Sequence, residues 1–161
     1  WRYRIGDVVI FTNIKPYRII LSGRTKNFIN AFGEELMMNN AEKAISAASS
    51  KVNVKVIDYT VAPIYMEKNI KGTHEWFIEF ENPPSNMKNF IRILDSALKD
   101  ENSDYEAKRH KDITMIEPKV NIVPKNTFYR WLESNNKLGG QHKIPRLSNN
   151  RDFVEDLIKL I

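Results

Sequence analysis

Two strand-like segments joined by a short connection place the strongest constraint on the fold of this chain. Residues 54–65 are rich in β-branched and aromatic side chains and bend near Pro63, and residues 76–80 continue the same pattern. Gly72 marks a turn between the two segments, so an antiparallel hairpin is predicted. Along the second segment, acidic residues alternate with apolar ones, which predicts that one face of the hairpin points outward, the acidic residues being Glu75, Glu79 and Glu81.

Helix-like segments surround this hairpin. Apolar side chains recur at helical spacing in residues 39–50, 85–99, 126–134 and 152–160, with a shorter helix from Ser103. The predicted N-caps are Asn39, Ser103 and Asn150. Three more strands are predicted, at residues 7–11, 17–21 and 113–123. Strands and helices mix without strict alternation, which predicts an α+β fold: an open α/β sandwich with a mixed β-sheet flanked by about four to five helices.

Composition narrows the possible functions. The chain contains no cysteine, so disulfides and thiolate metal sites are excluded, and a cytoplasmic location is predicted. The three histidines share no short metal-ligand spacing, so no metal site is expected. No apolar run reaches the roughly 20 residues that a membrane span needs. The net charge is +5, but the cations are scattered among 20 acidic residues, which argues against a nucleic-acid partner.

Three places carry residues that suit nucleotide chemistry. Asp7 follows a glycine, and a carboxylate there can accept hydrogen bonds from a vicinal diol such as ribose. Residues 23–35 have a glycine near each end and hold Arg24 and Lys26, so this segment could form a hinge that faces a nucleotide. In the stretch "GGQHKIPRL", Lys143 supplies a point charge suited to phosphate, although the Walker spacing is absent. Taken singly, each pattern also fits an ordinary turn or a solvated loop.

The order of these signals resembles the adenylate-forming superfamily, whose members carry a Y-R-T-G-D segment, a hinge segment and a late catalytic lysine. Here Ile5 replaces the threonine, Lys26 the hinge aspartate, and residues 34–36 the final R-I-E. Six segments narrow the likeness to the auxin-responsive-promoter (Gretchen Hagen) family of acyl-acid amido synthetases: "GRTKNFINAFGEEL", "AEKAI", "DYTVAP", "HEWFIEFE", "NSDYEAKR" and "GGQHKIPRLSNNR".

The resemblance implies a role for each site. Asp7 would bind the ribose hydroxyls of ATP, Arg24 and Lys26 would lie near ribose and phosphates, and Lys143 would meet the α-phosphate. The implied reaction adenylates a carboxylic acid with ATP and Mg²⁺ and then joins it to an amino acid. The superfamily's phosphate loop has no counterpart here, which implies a detached C-terminal lid domain: residues 1–22 as trailing strands of a missing N-terminal domain in cis, 23–27 as the hinge and 28–161 as the lid. Tyr105 and Arg109 are expected to be structural.

Two other functions remain open from the sequence. The chain could be the lid of a ligase that makes an acyl or aryl thioester with coenzyme A, because that reaction uses the same superfamily architecture. From another class, it could be a basic nucleic-acid-binding module, which rests only on the pI of about 9.3 and the aromatic content of 11%. Under the preferred interpretation, the fragment alone lacks a complete active site and is inactive.

Overall fold

A computed structural model describes residues 6–24, 27–68, 70–139 and 142–161, the side chains of residues 22–24 excepted. Along the described chain the elements are β1 (Asp7–Ile14), β2 (Tyr17–Arg24), β3 (Phe28–Ile29), β4 (Leu36–Met37), α1 (Met38–Val52), β5 (Val56–Ile64), β6 (Thr73–Phe80), α2 (Met87–Glu101), α3 (Ser103–Arg109), a 3₁₀ turn (His110–Asp112), β7 (Lys119–Val123), α4 (Thr127–Ser134) and α5 (Asp152–Ile158). These helices and mixed sheets confirm the predicted α+β class.

A three-stranded sheet with the order β5-β6-β7 forms the centre of the molecule. β5 and β6 pair antiparallel, with Val61 opposite Trp76, so the hairpin predicted around Gly72 is confirmed. β7 joins the other side of β6 in parallel, with Val120 opposite Trp76. A parallel neighbour requires a long crossover, and α2 and α3 provide it. The sheet is therefore mixed, as predicted.

Helices cover both faces of this sheet. On the first face, α1, α2 and α3 pack on alternate residues of β5 and β6 in a core that includes Tyr59, Val61, Trp76, Ile78, Phe90, Leu94 and Tyr105. On the second face, α4 and α5 pack on the intervening residues, with Ala62, Phe77, Val123, Phe128, Trp131, Val154 and Leu157 buried together. The predicted inner face of α1 is confirmed, because Ala41, Ala44, Ile45 and Ala48 are all buried.

The second core explains why the predicted outward face of β6 is partly wrong. Glu75 and Glu79 are each only 4% exposed, while Glu81 is exposed. The side chain of Glu75 accepts a hydrogen bond from Asn121 at 2.9 Å and forms ion pairs with Lys119 and Arg151 at 2.7 and 2.8 Å. Burial alone would raise the pKa of Glu75, but these three partners lower it overall. Glu75 is thus buried and ion-paired, and Glu79 is buried and accepts the Asn126 N–H at 2.8 Å.

Several predicted boundaries shift because side chains other than the predicted ones cap the helices. α1 begins at Met38, and the Asn40 side chain accepts the Met37 N–H at 3.0 Å, so Asn39 is not the cap. Asn102, not Ser103, caps α3 by accepting the Tyr105 N–H at 2.9 Å. The residue before α5 is Arg151, not Asn150. The strand predicted at 113–123 is confined to β7, since Pro118 cannot donate to a ladder.

The hairpin of β1 and β2 contributes no described side chain to either core. Its strands pair antiparallel, with Ile10 opposite Ile20. Its large apolar side chains are exposed on both faces, by between 43% and 77%: Val9, Ile10, Phe11, Ile14, Tyr17, Ile19, Ile20 and Leu21. Isolated two-stranded hairpins are marginal in water, so this one needs a further surface to pack on. None of the described helices is long and apolar enough to cross a membrane.

Candidate functional site

Lys143 lies exposed on the long loop that joins α4 to α5. Its ammonium forms no ion pair within the described part of the chain, whereas Arg146, three residues later, is paired with Glu42. Lys143 lines a cleft of about 410 Å³, whose other lining residues are Trp131, Lys137, His142, Pro145, Asp152, Phe153 and Asp156. The loop therefore places the Lys143 ammonium, which has no ion pair among the described residues, beside a cleft lined by both basic and acidic side chains.

The chain immediately after Lys143 is fixed to the edge of the sheet. The Thr60 hydroxyl donates to the Pro145 carbonyl at 2.7 Å. The Val61 N–H donates to the Arg146 carbonyl at 2.9 Å, and the Ser148 N–H donates to the Val61 carbonyl at 3.1 Å. These bonds add a short parallel bridge on the side of β5 opposite β6. The lysine is thus placed two residues upstream of a fixed point.

A second motif, the segment of β3 and β4, is anchored through a buried carboxylate. Glu34 and His74 are both 0% exposed, and Glu34 Oε1 lies 2.8 Å from His74 Nε2. The other carboxylate oxygen accepts the Phe32 N–H at 2.7 Å. Burial alone would raise the pKa of Glu34, but the hydrogen bond and charge of His74 and the Phe32 N–H lower it overall. This pair holds the turn between β3 and β4 against β6.

Asn149 brings the two motifs together. Its side-chain oxygen accepts the Asn30 N–H at 2.7 Å, and its side-chain nitrogen donates to the Phe28 carbonyl at 3.1 Å. The segment "GRTKNFINAFGEEL" is therefore tied to the end of "GGQHKIPRLSNNR", although more than a hundred residues separate them. No local sequence pattern singles out Glu34, His74 or Asn149 as functional. The only signal for them was their presence inside the quoted motifs.

The other predicted site residues lie apart from this loop in the sequence. Asp7 begins β1, and its backbone is paired with that of Arg24 at the end of β2. The structure therefore brings Asp7 and Arg24 opposite each other across the hairpin. The side chain of Arg24 and the whole of Lys26 lie outside the described residues. The nucleotide roles of these three residues stay predictions.

Tyr105 and Arg109, which were predicted to be structural, occupy a buried network. The Arg109 guanidinium donates to both carboxylate oxygens of Asp95, at 2.8 and 3.0 Å, and to the Met115 carbonyl at 2.8 Å. The Tyr105 hydroxyl donates to the same carboxylate at 2.8 Å. These bonds join α2 to α3 and use the guanidinium within the fold. Within the described ranges, no three His, Asp or Glu side chains are grouped as a metal site would require.

Comparison with known proteins agrees with this arrangement. The family model described as "GH3 family C-terminal domain" matches residues 39–152, which is most of the chain. Among solved structures, "GH3.15 acyl acid amido synthetase" superposes with a TM-score of 0.76 at 17% identity, covering 98% of this chain and 31% of that chain. "AtGH3.15 acyl acid amido synthetase in complex with 2,4-DB" gives 0.73 at 16%, covering 98% and 30%. A search of curated protein sequences gives no match.

These comparisons support two separate statements. At such low identity the solved structures show that the fold is shared, and this chain spans about a third of the length of each. The family model matches well over half of the chain and carries the assignment. The resemblance seen in the sequence motifs is thereby confirmed: the chain belongs to the GH3 family, as a GH3 C-terminal domain.

Proposed function

We propose that this chain is the lid domain of an ATP-dependent ligase that adenylates a carboxylic acid and conjugates it to an amino acid through an amide bond. The observation that carries the proposal is the placement of Lys143 in a GH3 C-terminal domain. Its exposed ammonium has no ion pair among the described residues and lies two residues upstream of a fixed chain. A charge held in this way can meet a phosphate supplied by another domain.

Lys143 would act on the first step. When the substrate carboxylate attacks the α-phosphate of ATP, negative charge gathers around phosphorus, and a nearby ammonium stabilises it more in the transition state than in the ground state. Asp7, exposed at the start of β1, would accept hydrogen bonds from the ribose hydroxyls. Arg24 and Lys26 would lie near the ribose and phosphates. The described residues offer Mg²⁺ no ligand cluster, so the ion would enter with the nucleotide phosphates.

The points at which the chain is anchored support the domain division that we propose. Residues 1–22 would belong to a large N-terminal domain, whose surface would cover the exposed apolar side chains of β1 and β2. Residues 23–27 would be the hinge, since the Phe28 carbonyl directly after them is bonded to Asn149 of the body. Residues 28–161 would swing as the lid between the two steps. The proposed location is the cytoplasm, with which a cysteine-free sequence is compatible.

The test uses the full-length protein that carries this domain. With ATP and a panel of aromatic and aliphatic carboxylic acids, adenylation is measured as pyrophosphate release with hydroxylamine as the trapping amine. We expect Lys143→Ala to lower the rate by on the order of 100- to 1,000-fold, as removal of one charge-stabilising group does. Lys125→Ala, at another exposed lysine, is the matched control and should retain the wild-type rate. A wild-type rate in Lys143→Ala would refute the assigned role.

Two further measurements separate the alternatives. Replacing hydroxylamine by amino acids or by coenzyme A shows which acceptor consumes the acyl-adenylate. Consumption by coenzyme A alone would mean that the protein is a thioester ligase and not an amide-forming one. The second measurement concerns residues 1–161 alone. Pyrophosphate release that depends on a carboxylic acid and an amine in this fragment would contradict the claim that it lacks a complete active site.

A further inference from the structure

Lys143 and Arg146 lie three positions apart on the loop but have different surroundings. Lys143 faces the cleft beside Trp131 and Phe153, on the α4 and α5 side of the sheet. Arg146 instead contacts α1 and β5. Its Nη1 lies 2.6 Å from Glu42 Oε1, and its Nε lies 3.4 Å from Asp58 Oδ1. Arg146 is therefore paired with acidic residues of both α1 and β5, whereas Lys143 has no ion pair among the described residues.

The loop crosses the sheet edge between these two cations. Ile144 packs against the core under α4 and α5, whereas Leu147 is buried in the core under α1, α2 and α3. Among the described residues, the backbone of 142–144 makes no hydrogen bond, and the bonds begin at the Pro145 carbonyl. The position of Lys143 therefore depends on how firmly the chain is held where it reaches β5.

Arg146 holds the chain at that point from the first face. Its guanidinium carbon lies 5.1 Å from the centre of the Tyr59 ring, which stacks on Trp76 with ring centres 5.5 Å apart. Trp76 is fully buried, so this contact connects the arginine to the rigid centre of the sheet. A planar guanidinium can stack on a ring while it forms ion pairs with two carboxylates, an arrangement that suits arginine better than lysine. Three contacts in different directions fix one side chain.

We propose that Arg146 is a positioning residue for Lys143: through Glu42, Asp58 and Tyr59 it fixes the loop exit so that the ammonium meets the α-phosphate in the right place. The inference rests on the proposed role of Lys143. The stabilisation that Arg146 gives to the fold is small, because its side chain is 37% exposed and its partner Glu42 is 49% exposed. Its effect on adenylation is larger, since small displacements of a reacting group reduce rates by up to about 100-fold.

The test is Arg146→Gln in the full-length protein, which removes the charge but keeps the backbone bonds to Val61. We expect kcat for adenylation to fall by about 10- to 100-fold. The KM values for the acid and ATP should stay within about two-fold of wild type, since a positioning residue contributes little to uniform binding. The thermal midpoint should also change little. Transfer from preformed acyl-adenylate to the amine should keep its wild-type rate.

Partner and control variants sharpen this result. Arg146→Lys should recover part of the rate, because an ammonium reaches one carboxylate but cannot make all three contacts. Adding Glu42→Gln to Arg146→Gln should lower the rate no further, because both changes break the same contact. Arg130→Gln, at an exposed arginine of α4, should behave as wild type.

The outcomes separate the two proposals. If Lys143→Ala is impaired and Arg146→Gln adenylates at the wild-type rate, the positioning role is wrong and the proposed function stands. If Arg146→Gln loses both half-reactions together with its thermal stability, its role is purely structural and the inference also fails. If neither Lys143→Ala nor Arg146→Gln affects adenylation, the assigned role of Lys143 fails and this inference fails with it. If the wild-type protein adenylates no carboxylic acid, the proposed function itself fails.

Discussion

At the scale of single residues, the pair of Glu34 and His74 connects the segment after the proposed hinge to the central sheet. Both side chains are fully buried, and the carboxylate accepts N–H groups of Phe32 and Ala31 as well as the imidazole Nε2–H. A buried carboxylate that lost these donors would pay its full desolvation cost. The arrangement therefore ties the local fold of one turn to a side chain of β6.

We predict that Glu34→Gln lowers the free energy of unfolding by about 1–3 kcal/mol at pH 7, because an amide replaces a charged acceptor and presents donors to N–H groups. Urea denaturation measures this change. Glu35→Gln is the matched control: Glu35 is the exposed neighbour, and its variant should lie within about 0.5 kcal/mol of wild type. Equal effects of the two substitutions would contradict the role of the buried pair.

The same pair predicts a dependence on pH. The pKa of Glu34 in the folded protein lies below its ordinary value of 4.5. Its ionised form therefore contributes stability that is fully present above about pH 4.5 and is lost as the pH falls through the lower, folded pKa. Wild type should lose more unfolding free energy than Glu34→Gln between pH 5 and pH 3. A parallel acid dependence of the two proteins would show that Glu34 contributes nothing to it.

At the scale of elements, the contact between Gly72 and Phe32 joins the turn before β6 to the segment of β3 and β4. A Cβ placed on Gly72 would lie 2.4 Å from Phe32 Cε1 and 2.6 Å from its Cζ. We predict that Gly72→Ala costs about 1–3 kcal/mol through this overlap. Adding Phe32→Leu should relieve it, so that the double variant loses less than the sum of the single variants. Strict additivity in urea denaturation would exclude the overlap as the cause.

The predictability of each element depended on whether its signal was local. The stripe of Phe90, Leu94 and Leu98 on α2 and the hairpin of β5 and β6 follow from side-chain spacing within one segment, so the sequence predicted both. The burial of Glu75 and Glu79 depends on α4 and α5, which lie far downstream. The sequence of β6 itself gives no sign that α4 and α5 pack on it. Acidic side chains on their own predict exposure to solvent.

The candidate site shows the same division. The exposure of Lys143 could be predicted because a lysine beside glycines is typical of a surface loop. Its catalytic role stays a prediction from the family motif. Arg146 and Asn149 could not be singled out, because their partners Glu42 and Asn30 lie 104 and 119 positions away. In the sequence, an arginine and an asparagine in a polar loop give no indication of such distant partners. The nucleotide roles of Asp7, Arg24 and Lys26 stay predictions from the family motif.

At the scale of the whole molecule, the described residues that form the two cores all follow the proposed hinge in the sequence. Every buried residue of either core lies at or after Ile29, and no described side chain of β1 or β2 belongs to them, although β2 comes close to α1. The hairpin exposes eight large apolar side chains, and a concentration of exposed apolar residues marks an interaction surface. The division predicts that the body folds without the hairpin.

We predict that residues 28–161 fold on their own, with an unfolding free energy within about 0.5 kcal/mol of that of residues 1–161, because no core contact is lost. The longer chain should self-associate through the exposed hairpin, and the shorter one should be monomeric in sedimentation experiments. Residues 39–161 are the contrasting truncation: removing Ile29, Leu36 and the Glu34 carboxylate takes fully buried groups from the core and should cost more than about 3 kcal/mol. If the 28–161 chain were as unstable as the 39–161 chain, the hairpin and the body would form one folding unit, and the proposed boundary at 23–27 would be wrong.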